Sequence, residues 1–174
     1  MKKLILPKLR QTYPFDCGAK ALQSVLAYYG VFLREDKIMK IAKTNKNGTE
    51  VKGIIEVLKI NHLKYIKKKM SVDDLNKYIS KEIPVILVLQ AWTDSKNVDW
   101  KNDWDDGHYV VAVGFMKNKI LFEDPSSFLL TYLTTKELED RWHDVSLHGK
   151  RYYNLGIAVI GKKRFNQNKI IHMD

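Results

Sequence analysis

The chain has 174 residues, 45 % of them hydrophobic, a formal net charge of +10 and a single cysteine. That length supports one compact domain rather than two ordinary ones, and a lone cysteine excludes an internal disulfide scaffold. No apolar run approaches the roughly 18 residues of a membrane-spanning helix, and Leu4-Ile5-Leu6 before Pro7 is far shorter than a signal-peptide core of about 7–15 residues. The basic excess is spread along the whole chain, as in YIKKKM (65–70) and GKKRF (161–165), with no zinc-finger spacing or RNA-binding motif. It reads as a solvated basic surface, and nucleic acid is not expected as a partner.

In chain order the first element is a helix from Cys17. Leu22, Val25, Leu26 and Tyr29 fall at i, i+3, i+4 and i+7, and Gly30 stands where a left-handed residue closes a helix. A second helix fits 34–42, and TNKNG (44–48) is a loop. Thr49 is expected to cap a third helix, whose Val51, Ile54, Ile55 and Leu58 repeat the same spacing. SVDD (71–74) is a capping-box variant that opens a fourth, to about Ser80. From Ile83 the pattern changes to short Val- and Ile-rich segments at 83–92, 108–115, 119–124 and 152–161. The turn at 116–119 makes 108–124 an antiparallel hairpin. One more helix fits 134–145, with Thr134 and Glu137 as its capping box. Helices followed by strands, with little alternation, predict an α+β domain with an antiparallel sheet. No repeat or linker interrupts it.

Cys17 falls at the start of the first helix. A thiol attacks as thiolate, and unsatisfied N–H groups at a helix start favour that anion. Taken alone, a single cysteine reads first as a small buried hydrophobe. Thiol catalysis also needs an imidazole, an acceptor to orient it, and a donor for the developing oxyanion. His108 opens an apolar strand after the turn-like DDG, and Asp124 ends the next strand before Pro125. If those strands pair across a tight turn, the two become neighbours. Gln11, six residues before Cys17, has an amide able to join the Cys17 N–H as oxyanion donor. Each has a plain structural reading: a strand histidine, a turn aspartate, a surface glutamine. Together they form a catalytic set.

QTYPFDCGAKALQSVLAYYG, GHYVVAVGF and ILFEDPSS, in this order over about residues 7–128, resemble the bacteriocin-processing cysteine peptidases. These are the double-glycine leader peptidase domains of the papain-like superfamily. The resemblance implies Cys17 as nucleophile, His108 as general base and acid, Asp124 as imidazole orienter and Gln11 as oxyanion donor. It implies a papain-like fold across 1–174, with a helical lobe over about 1–81 and a sheet lobe over about 82–174. It also implies a peptide or protein substrate and a separate exporter as a candidate partner. In this family the domain is commonly the N-terminal part of a membrane exporter. Here the expectation is a free-standing, cytoplasmic peptidase working through an acyl-thioester. A catalytically silent peptide-binding domain of the same fold stays open, as does an acyl transferase that passes the thioester to an amine or thiol.

The stretch AWTDSKNVDWKNDWDDG (91–107) is a longer connection than that family leads one to expect. It carries Asp94, Asp99, Asp103, Asp105 and Asp106 against Lys96 and Lys101. It is read either as a wall of the substrate cleft or as a solvated acidic loop over packed tryptophans. No EF-hand can be written through it. His62, His143, His148 and His172 lack ligand spacing, and no Walker or dinucleotide motif is present. No metal or cofactor is expected, since thiol chemistry requires none.

Overall fold

Helix α1 (Cys17–Tyr28) is buried at every residue but Gln23. Its polar residues Lys20, Gln23 and Ser24 share one face and find partners in Glu35, Leu33 O and Pro7 O, while the apolar remainder lies against the sheet in the computed structural model, which describes residues 3–173. It ends as its sequence predicts. Gly30 takes φ 80°, and the N–H groups of Gly30 and Val31 donate to Ala27 O and Leu26 O, both at 2.9 Å. This is the Schellman pattern, in which glycine alone avoids the left-handed penalty.

Helices α2 (Glu35–Ala42) and α3 (Val51–Ile60) follow. The expected Thr49 cap is not made. Glu50 holds the N-cap position without a side-chain bond, while Thr49 is buried with its hydroxyl 2.8 Å from that of Thr44. The hydroxyl is drawn into the preceding loop and so cannot reach the helix. Strand β1 (Lys64–Lys69) was read in the sequence only as basic surface. It is the edge of the sheet, where a row of lysines keeps further strands from adding. Helix α4 (Val72–Ser80) opens with the reciprocal Ser71 and Asp74 capping box.

Strand β2 (Val85–Gln90) is buried at every residue. Strands β3 (Gly107–Met116) and β4 (Lys119–Glu123) form the predicted hairpin, with Met116 paired to Lys119. A short strand, β5 (Thr131–Thr134), was not foreseen, and helix α5 (Thr135–Arg141) starts on the Thr134 and Glu137 capping box. The expected helix to residue 145 stops at Arg141, because β6 (His143–Val145) pairs with β7 (Arg151–Tyr153). The expected strand 152–161 is broken at Asn154, whose φ of 53° separates β7 from β8 (Leu155–Ile160). The main sheet runs β1-β8-β2-β3-β4-β5, with every pairing antiparallel. This is the α+β architecture that the periodicities predict.

Candidate active site

Period-two alternation puts His108, Val110 and Ala112 on one face of β3. Ala112 pairs with Phe122, so Phe122 and then Asp124 fall on that face too. The hairpin thereby brings together two residues sixteen apart: His108 Nε2 lies 2.8 Å from Asp124 Oδ1. Both are buried, at 6 % and 2 % exposure. Cys17, at the start of α1, lies close enough to this imidazole to act on its ionisation. The fold thus brings Cys17, His108 and Asp124 together at one place.

Two opposed effects act on His108. Burial disfavours the imidazolium, but the hydrogen bonds and charges of Asp124 and Cys17 outweigh it and bring the pKa up to about 9. Asp124 is likewise pushed up by burial, yet held below the usual carboxylate value by His108, by the Ser126 N–H and by Trp92. Its Oδ1 accepts from Ser126 N at 2.8 Å, and its Oδ2 from Trp92 Nε1 at 3.0 Å and Thr131 Oγ1 at 3.1 Å. Those donors fix the carboxylate's orientation. Trp92 and Thr131 were missed in the sequence, since neither lies within a motif.

Gln11 is stitched to the turn after Asp124. Its N–H donates to Pro125 O at 3.0 Å, and its side-chain oxygen accepts from Ser126 Oγ at 2.9 Å. The side-chain amide donates to Tyr13 O at 3.0 Å, and an NH₂ group has a second hydrogen to offer. The loop carrying it rests on Asp16, fully buried, whose Oδ2 accepts from Thr12 N and Tyr13 N, each at 3.0 Å. Burial and the neighbouring Glu35 carboxyl raise the Asp16 pKa. Burial also pushes Glu35 up, but Lys20, 2.8 Å away, and Thr12 bring it down overall. This polar cluster beside the start of α1 was also missed; the Asp before Cys17 was its one visible trace.

The long loop divides between its two readings. Trp100 lies under the Arg141 guanidinium at 3.8 Å, and Trp104 packs on His143 at 4.4 Å. Trp104, Asp105 and Gly107 also line a pocket that reaches Cys17. At the start of α1, a β-carbon on Gly18 would stand 2.8 Å from Thr49 Cβ and 3.0 Å from the Tyr109 ring, so this wall closes tightly on the helix. Among the described residues, no three His, Cys, Asp or Glu side chains gather in a way that could hold a metal ion.

A cysteine at a helix start, beside a histidine that a buried aspartate holds at 2.8 Å, is the arrangement of a papain-like cysteine peptidase. The chain belongs to the Peptidase C39 family, whose model matches residues 6–152. Over 133 residues it is 27 % identical to the mesentericin-Y105 transport/processing ATP-binding protein MesD of Leuconostoc mesenteroides. That match covers 76 % of this chain and 17 % of the relative, so the chain spans about a sixth of its length. The peptidase domain of Streptococcus ComA, a bifunctional ABC transporter of a quorum-sensing pathway, superposes with a TM-score of 0.67 at 24 % identity, covering 93 % of this chain and 100 % of that one. A double-glycine motif protease from an AMS/PCAT transporter, solved with its leader peptide, gives 0.67 at 16 % identity, covering 90 % and 92 %. At those identities the superpositions establish the fold. Among the described residues, no helix is long and apolar enough to cross a membrane.

Proposed function

We propose that this chain cleaves a peptide or protein substrate at the end of a double-glycine-type leader, by attack of Cys17 on the scissile carbonyl. His108 holds the thiolate as an ion pair and then gives its proton to the leaving amine, while Asp124 orients the imidazole. The Gln11 amide and the Cys17 N–H stabilise the oxyanion. Water, activated by His108, then releases the acyl group from the thioester. The observation that supports this best is the buried imidazole of His108, 2.8 Å from Asp124 and near enough to Cys17 for the two to act on each other's ionisation. A silent peptide-binding domain has no use for that arrangement. We place the work in the cytoplasm, in a single domain over 1–174, with an exporter that takes up the product as its partner.

The test is to incubate the purified chain with a synthetic leader peptide containing Gly-Gly and to read the products by mass spectrometry. The expected result is a single cut after the second glycine, lost in Cys17→Ala. Transfer of the acyl group to an added amine in preference to water would make the chain an acyl transferase. A chain that binds the peptide, leaves it uncut and forms no adduct with a peptide aldehyde would overturn the catalytic reading.

A further inference from the structure

The pocket that reaches Cys17 has a volume of about 190 Å³ and runs from the head of α3 to the β6 region. Its walls carry three carboxylates, those of Glu50, Asp105 and Asp144, and among the described residues no lysine, arginine or histidine lines it. None of the three has an ion-pair partner among the described residues. In a chain of net charge +10, the sign is inverted at the place nearest the nucleophile.

Two of these carboxylates are held in place. Glu50 accepts from the Leu147 N–H at 2.8 Å, and Asp144 Oδ1 accepts from Gln90 Nε2 at 3.2 Å. Asp144 also lies against Gly107, the residue before His108, where a β-carbon would come within 2.6 Å of Oδ1. A side chain at 107 would take the space that the carboxylate occupies. Burial pushes the Asp144 pKa up to about 6, a cost to its charge that a neighbouring cation would relieve.

A second, independent feature points into the same pocket. Tyr109 lines it and is 7 % exposed as a residue, and its hydroxyl has no hydrogen-bond partner among the described residues while keeping contact with solvent. Cys17, Glu50 and Asp144 are all near enough to act on the ionisation of that hydroxyl. A hydroxyl at the pocket wall that no protein group engages is available to a ligand as donor or acceptor. A hydroxyl acceptor beside fixed carboxylates suits a group that only donates and is positively charged. A neutral side chain docking here would strip water from the carboxylates and return nothing, and an acidic one would add repulsion.

We infer that this pocket is a specificity subsite that takes one lysine or arginine side chain of the peptide, within three residues of the bond cleaved. The inference rests on the proposed function for Cys17 as nucleophile, because that makes the pocket part of the substrate cleft. Glu50, Asp144 and Asp105 supply the charge, and Tyr109 accepts one of the cation's hydrogens.

Binding is measured separately from turnover, on the Cys17→Ala chain. A peptide frame carries lysine, alanine or glutamate at each of the six positions flanking the scissile bond, one at a time, and Kd is read by fluorescence anisotropy. At one position lysine should bind about tenfold more tightly than alanine, and glutamate more weakly than either. The advantage should shrink in 0.5 M salt, as screening of a partly open ion pair requires. Glu50→Gln and Asp144→Asn, made separately in that chain, should each reduce the lysine-to-alanine ratio at that position. Equal binding of lysine and alanine peptides at all six positions would overturn the subsite. So would a lysine preference that survives both substitutions. Turnover of the same peptides by the unaltered chain judges the catalytic reading on its own: a cationic preference without cleavage keeps the subsite and makes the chain a binding module, while cleavage without the preference keeps the peptidase and removes the subsite.

Discussion

Asp124 accepts four hydrogen bonds on two oxygens, and only one of them comes from His108. Asp124→Asn keeps the shape but removes the charge and must turn an NH₂ group toward at least one of those donors. Turnover should fall, by less than in Cys17→Ala, while the protein stays folded. The His108 titration, followed by NMR, should move down from about 9, since its main support is lost. Unchanged turnover would assign the orienting role to another group. Gln11 is judged by a different split. An oxyanion donor acts when the carbonyl becomes tetrahedral, so Gln11→Ala should lower kcat about 10²-fold, on the order of 3 kcal/mol, with little change in KM or Tm. A variant that unfolds, or one with unaltered kcat, makes Gln11 the structural stitch to Ser126 and nothing more. Cys17 should be alkylated by iodoacetamide faster in the unaltered chain than in His108→Ala, because the imidazole that takes up the thiol proton is then gone. Equal rates in the two would count against Cys17 as nucleophile.

At the scale of elements, the start of α1, where the proposed nucleophile stands, has no slack. In Gly18→Ala the new methyl would meet Thr49 Cβ, an atom tied directly to the backbone, so the helix start or the 49–51 segment must shift. The expected cost is about 1–3 kcal/mol in urea unfolding. The drop in turnover should exceed what the lost stability explains, because the shift moves Cys17 relative to His108. Thr134→Ala is the contrast. It removes one half of the α5 capping box, away from the nucleophile, and should cost about 1 kcal/mol without changing kcat. If the two variants lost stability and activity in the same proportion, the α1 start would be an ordinary helix terminus.

For the whole molecule, the His108 and Asp124 pair links stability to pH. His108 is raised from 6.5 to about 9 on folding, so its stabilisation is present in full below 6.5 and is lost as pH rises through 9. Asp124 is lowered from 3.8, so its contribution is present above 3.8 and is lost as pH falls through the folded value. The Tm advantage of the unaltered chain over His108→Ala should therefore be widest between about pH 4 and 6.5 and should narrow by pH 9. A difference that stays flat from pH 5 to 9.5 would show that the imidazole is neutral in the folded state.

Local periodicity and end signals, read from the sequence alone, determined α1 and its Gly30 stop, the capping boxes at Ser71 and Thr134, and the β3–β4 hairpin. These depend on residues within a few positions of one another, and the hairpin's short turn was enough to bring His108 beside Asp124. Tertiary structure alone decided the rest. Lys64–Lys69 is a strand because β8, almost ninety residues later, offers it an edge. The break at Asn154 follows from β7 and β8 serving different sheets. Trp92 reaches Asp124 from 32 residues away, and Glu50 and Asp144, far apart in the chain, meet around one pocket. No local spacing records such meetings, because they are set by how the helices pack on the sheet and not by the period of either.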